Sequence, residues 1–149
     1  MPVPQPALAF LAILCAGISL DRWRSPSWLA ALPVGPRVGG GLALALSAVL
    51  LVAWGILHLR RARTPVEPGH VPSALVTSGP YRFTRNPLYL GQLLFLLGLG
   101  LAAFPWLLPG AAIQALLLDR LVIPSEEARI AAHFGEAFGA YRARVRRWI

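Results

Sequence analysis

The chain contains no lysine. All 14 of its basic residues are arginine, set against six carboxylates, so the formal net charge is +8 over 149 residues. With the abundance of Ala, Leu, Gly and Pro, this is a compositional bias rather than the electrostatic footprint of a nucleic-acid binder, and no nucleic-acid partner is expected. Cysteine is nearly absent too: Cys15 stands alone in an apolar run, which excludes a disulfide framework and a thiol metal site, and no metal is expected. Missing as well is a positive region ahead of the first apolar run, or a small-residue cleavage site after it. That run is expected to stay as a membrane anchor rather than leave as a signal peptide.

What is abundant is hydrophobic sequence, 56% of the chain. It falls in blocks at 3–20, 38–59, 88 to about 108 and about 111 to 123. Such blocks match the ~20 residues a helix needs to cross a ~30 Å hydrocarbon core. The fold class expected is therefore all-α: an integral membrane helical bundle of about four transmembrane helices plus a C-terminal amphipathic helix. The arginines are concentrated between spans 2 and 3 (Arg60, Arg61, Arg63, Arg82, Arg85) and after span 4 (Arg129, Arg142, Arg144, Arg146, Arg147), with Arg22, Arg24 and Arg37 on the opposite side. The positive-inside bias then places the 60–87 loop and both termini in the cytoplasm.

Along this single domain, residues 1–63 form two N-terminal spans, 64–87 a cytoplasmic loop, 88–123 a helical hairpin turning near 105–110, and 124–149 the amphipathic helix. Trp23 and Trp28 suit a membrane interface. His58 has no second ligand at helical spacing and is read as interfacial. Leu75 and Val76 make an apolar island in the proline-rich loop, which suggests that it folds back. Gly91, Gly98 and Gly100 are read as close-packing positions between helices. Ile130, Phe134, Phe138, Tyr141, Val145 and Trp148 follow one another at steps of three and four, the stripe of an amphipathic helix lying at the membrane surface.

Three features carry candidate chemistry. At 77–91, TSGPYRFTRNPLYLG, Gly79 and Pro80 force a turn, Arg85 and Asn86 bring polar groups to the membrane face, and Pro87 suits a first helical turn. Open amides there, flanked by Tyr81 and Tyr89, make a cradle for a polar ligand with an aromatic part. Glu126 and Glu127 follow Pro124, where a carboxylate also simply favours a helix start by about 0.3–1 kcal/mol. Asp119 and Arg120 lie inside a span, where ionisable groups are costly and are functional candidates by default.

The stretches LVTSGPYRFTRNPLYLG (75–91) and VIPSEEARIAAHFGEAFGAYRARVRRWI (122–149) together resemble the isoprenylcysteine carboxyl methyltransferase family, a broad group that includes phospholipid methyltransferases. The resemblance covers the C-terminal half and implies an S-adenosylmethionine-dependent membrane methyltransferase with a cytoplasmic cofactor site, as in bacterial inner-membrane members. Carried across, the cofactor is held by Ser73, Ala74, Leu75, Val76, Tyr81, Asn86, Pro87, Leu88, Tyr89 and Glu126. Arg85, Arg120 and Glu127 are the catalytic candidates, Glu127 as a base for an amine acceptor. Asn86 stands where eukaryotic members usually have His, Phe138 where Tyr is usual and Arg146 where Pro is common. Val122 occupies the turn where the prenylcysteine enzymes carry an arginine for the substrate carboxylate.

The implied acceptor is a lipidic or amphiphilic molecule. The first reading is methylation of a prenylcysteine-like carboxylate, with a phospholipid amine or a small thiol as alternatives. Transfer from a sulfonium needs alignment and a dry site, and a low-dielectric pocket favours the charge-cancelling reaction with an anionic acceptor. A non-enzymatic membrane subunit that keeps the fold is the contrasting class.

Overall fold

Every regular element among the described residues is helical. The computed structural model describes residues 5–29, 31–66 and 72–149; residues 67–71 of the proline-rich loop, residues 1–4 of the first apolar block and Ala30 lie outside the described residues. Helix α1 spans Pro6–Trp23, α2 Val34–Arg61, α3 Pro87–Ala102 and α4 Leu107–Leu117. A π-helical turn, Leu118–Val122, joins α4 to α5 (Ile123–Phe134), and α6 (Glu136–Arg144) follows. Helices α1, α2 and the continuous Leu107–Phe134 rod are each long and apolar enough to cross a bilayer. The fourth apolar helix, α3, has 16 residues and covers roughly 24 Å at the usual rise.

Small residues set how closely the helices approach. The buried face of α2 is Gly41, Ala45, Ala48 and Gly55, and it meets the glycines of α3. A Cβ on Gly98 would sit 2.6 Å from the Ala45 amide nitrogen and 2.7 Å from the Gly41 carbonyl oxygen. Backbone therefore lies on backbone, the packing that drives helix association where lipid removes the hydrophobic incentive. Helix α1 rests on α4 with Gly17 beneath Leu107 and Gly110 against Ile13. Its far end is tied to the α3–α4 turn: Trp106 donates its backbone N–H to Asp21 Oδ2 (3.2 Å) and its indole N–H to the Arg24 carbonyl (2.8 Å). Outward-facing Leu42, Leu46, Val49 and Leu50 of α2 and Ile113 and Leu116 of α4 are exposed, as a lipid-facing surface requires.

The amphipathic helix expected over 124–149 is two helices and a tail. The apolar rod runs past Ile123 without stopping, because the π turn accommodates Pro124. The Ile123 N–H reaches back five residues to the Leu118 carbonyl, so the wider register falls beside the proline that has no N–H to give. The break comes at Gly135, whose φ of +51° is a conformation that side chains resist. The stripe still faces inward, with Phe138 and Tyr141 buried and Trp148 packed beside Tyr89, Leu118, Val122 and Ile123.

From Val145 the chain is extended and runs beneath the turn before α3. The Arg85 N–H donates to the Arg146 carbonyl (3.0 Å), and Thr84 Oγ1 (2.9 Å) and Asn86 Nδ2 (3.0 Å) both donate to the Arg147 carbonyl. The two arginine-rich segments thus share one end of the bundle, as the charge pattern demands, while Asp21 and Trp106 mark the other.

Candidate active site

The turn that opens the site is built by residues with few conformational alternatives. Gly79 has φ +61°, and any Cβ there would strike the His58 imidazole at the end of α2. Pro80 and Tyr81 follow, both buried, and the Tyr81 carbonyl accepts the Tyr141 hydroxyl at 2.7 Å. Burial pushes both phenols above their ordinary range, Tyr141 to about 12, so both are neutral donors at physiological pH. Thr84 is 3% exposed; besides reaching Arg147, its Oγ1 accepts the Asn86 N–H at 3.1 Å. Pro87 then begins α3, and the first intrahelical bond runs from the Leu90 N–H to the Asn86 carbonyl. The amides of Leu88 and Tyr89 have no preceding turn to bond to.

Those two residues line a cavity of about 360 Å³ between α2, α3, α5 and the start of α1. Its polar wall carries Tyr81, Arg85, Asn86, Glu126 and Arg129; its apolar wall includes Val52, Ile56, Leu59 and Ile130. Tyr89 donates its hydroxyl to Glu126 Oε1 at 2.8 Å, which fixes this half-buried carboxylate on the cavity wall. A second cavity, of about 330 Å³ with apolar walls that include Phe10, Val49 and Phe95, adjoins the first; Val52, Ile56 and Gln92 border both.

Glu127, one residue on, points elsewhere. Arg85 donates to its Oε1 from Nε (3.1 Å) and Nη2 (2.6 Å), and Arg147 Nη2 donates to its Oε2 (2.9 Å). Arg147 also reaches Asp119 Oδ1 at 2.9 Å, where the Trp148 indole N–H joins it at 3.3 Å. The Glu127 hydrogen bond, with Asp119 adding to it, holds the Arg147 guanidinium above its ordinary range. Arg85 completes the clamp by donating to the carbonyls of Arg142 and Val145. The two adjacent glutamates thus divide the work: Glu126 meets the cavity, while Glu127 ties the α3 turn to the C-terminal tail.

A family model described as phospholipid methyltransferase matches residues 36–137. The chain belongs to the phospholipid methyltransferase family. The match takes in every residue bordering the main cavity except Pro6 and Ala7. Comparisons with curated proteins and with solved structures found no match. The chain is accordingly a helical membrane protein of a methyltransferase family, whose members generally use S-adenosylmethionine.

The residues expected to hold the cofactor divide into two groups. Tyr81, Asn86, Pro87, Leu88, Tyr89 and Glu126 all border the cavity. The 73–76 segment stands behind it: the Ala74 N–H donates to Thr64 Oγ1 at 3.1 Å, and Thr64 borders the cavity, as does neighbouring Pro72. Of the catalytic candidates, Arg85 touches the cavity and the clamp, Glu127 belongs to the clamp, and Arg120 lies apart. The Arg120 side chain is 74% exposed, with Nε 3.9 Å from Asp119 Oδ2. Not foreseen were Gln92, Arg129, Ile130 and Arg147. The first three follow from helical spacing, since Gln92 lies three residues beyond Tyr89, and Arg129 and Ile130 three and four beyond Glu126.

The donor set fits S-adenosylmethionine. A cavity of this size is in the range of ligand sites. Glu126 complements an ammonium, Asn86 and the open amides at the start of α3 complement a carboxylate, and Leu59, Leu88 and Ile130 offer surface to an adenosine.

Proposed function

We propose that this protein transfers a methyl group from S-adenosylmethionine to an amine in the headgroup of a glycerophospholipid, at the cavity beside the start of α3. The observation that carries the reading is the Tyr89-anchored Glu126 carboxylate on the polar wall of a cavity that adjoins an apolar one, in a chain of this family. The cofactor supplies a methyl group activated by a sulfonium. Glu126, Tyr81, Asn86, Pro87, Leu88 and Tyr89 would hold it, backed by Ser73, Ala74, Leu75 and Val76.

The chain's own task is alignment and exclusion of water. An amine can attack only through a free lone pair, in line with the bond that breaks, so its position relative to the cofactor decides the rate. The apolar wall of Val52, Ile56 and Leu59 keeps that line dry, and the adjoining cavity gives the acceptor's chains a place without leaving the bilayer. Glu127, engaged by two guanidinium groups, is read as structural rather than as the base; the headgroup ammonium gives up a proton to water on the polar side before it attacks, and the product leaves as the methylated ammonium beside the neutral thioether. The arginine-rich end that carries the site is assigned to the cytoplasm by the positive-inside rule, in a bacterial inner membrane.

A second reading, methylation of a prenylcysteine-like carboxylate, is favoured by Arg129 on the cavity wall one turn from Glu126. The experiment that separates the two supplies methyl-labelled S-adenosylmethionine with a phosphatidylethanolamine or a prenylcysteine in micelles. Label in the amine lipid supports the first reading, and label solely in the prenylcysteine overturns it in favour of the second. Absence of cofactor binding by a folded protein moves the non-enzymatic class to the front.

A further inference from the structure

Two amides face each other inside the bundle. Gln114 of α4 is fully buried and donates through Nε2 to Oε1 of Gln92 on α3 at 3.3 Å, while its own Oε1 has no partner among the described residues. A buried carbonyl without a partner forfeits its hydration with nothing in return, so this pair is an expensive way to fill space between apolar helices. Gln92 stands where the two cavities meet. It lies one turn beyond Tyr89, about 8 Å deeper along α3 than Pro87.

We infer that Gln92 recognises an ester carbonyl of the lipid acceptor. With its oxygen engaged by Gln114 from behind, Gln92 keeps its amide N–H groups for the cavities, and among the described residues they donate to no protein atom. A glycerophospholipid carries its ester carbonyls between headgroup and chains. These acceptors therefore fall at the junction Gln92 occupies when the headgroup is in the polar cavity and a chain in the apolar one. A prenyl thioether offers a sulfur there, a weak acceptor, and an ether-linked glycerolipid has no carbonyl at all. Either would leave the donor unpaired, the kind of mismatch by which hydrogen-bonding sites discriminate.

The inference rests on the phospholipid reading proposed above. Its test uses the full-length protein in micelles with diester phosphatidylethanolamine or the dialkyl ether of the same headgroup and chain length, and measures S-adenosylmethionine binding before any lipid is added. The native protein should prefer the diester by about tenfold in kcat/KM, the equivalent of ~1.4 kcal/mol. Gln92→Leu should bring the two lipids to within about twofold, chiefly through the KM of the diester. Gln92→Met, which keeps the length of the side chain but has no hydrogen-bond donor, should do the same. Equal use of the two lipids by the native protein, or a preference that survives in both Gln92→Leu and Gln92→Met, would overturn the assignment. So would cofactor binding without methylation of the diester, which leaves the cofactor reading intact; failure to bind the cofactor defeats the proposed function itself and the subsite with it.

Discussion

Replacing Glu127 by Gln removes one negative charge from between two guanidinium groups, and the structure sets the size of the effect. The Arg85 and Glu127 side chains are 9% and 10% exposed. Breaking a pair buried to this degree costs about 3–5 kcal/mol, because one charge is left without its counterpart. Two features reduce that figure: Arg85 retains the carbonyls of Arg142 and Val145, and Arg147, 27% exposed, retains Asp119. The net expectation is about 3 kcal/mol, or a fall in Tm of roughly 10 °C for a chain of this size. Glu126→Gln is the matched comparison, since its amide oxygen can still accept the Tyr89 hydroxyl and stability should change by about 1 kcal/mol or less. Thermal unfolding in detergent, followed by circular dichroism, reads both. The clamp account is refuted if Glu127→Gln keeps the native Tm and cofactor affinity but loses turnover, which would make Glu127 a chemical group.

The helix contact is tested by Gly98→Ala, which sets a methyl against the backbone of Gly41 and Ala45 and should cost about 1–3 kcal/mol; Gly40→Ala, with open space around it, should not, and equal Tm values for the two would argue against close packing there. Thr84→Val should loosen the C-terminal tail by about 1–3 kcal/mol, seen by mass spectrometry as faster tryptic cleavage after Arg144, Arg146 and Arg147; native rates would mean that Thr84 does not hold the tail. The Tyr141 phenol has a folded pKa of about 12, above the usual ~10, so its contribution to stability is complete below pH ~10 and disappears as pH rises through about 12. The stability gap between native protein and Tyr141→Phe should accordingly shrink from pH 10 to 12, and a constant gap would contradict the burial of this hydroxyl.

Much of this architecture is legible in the sequence because membrane helices announce themselves by composition. The apolar blocks became helices, Gly91, Gly98 and Gly100 of α3 became contact points, and two motifs about thirty residues apart met at one end of the bundle. The break at Gly135 was hidden because apolar residues on both sides of it face the same interior, so the three- and four-residue steps continue across a helix end. Asp119 and Arg120 stand out in the sequence as ionisable residues inside a span, which names no partner for either. Arg147, 28 residues further on, makes the 2.9 Å contact with Asp119, a tertiary fact that local pattern cannot carry. The resemblance set Glu126 apart from Glu127, but the two guanidinium partners of Glu127 were out of reach of local pattern for the same reason. A residue's helical phase decides whether it faces the cavity or Arg85, and the π turn at Leu118–Val122 shifts that phase.

The central claim is that the Glu126 cavity binds S-adenosylmethionine. Calorimetric titration of the detergent-purified protein with S-adenosylmethionine and with its demethylated product, beside Glu126→Gln, tests it most directly. Saturable binding by the native protein, weakened at least tenfold in Glu126→Gln while Glu136→Gln binds normally, is the predicted result. Native affinity in Glu126→Gln, or no binding by a protein whose circular dichroism shows it folded, would contradict the account.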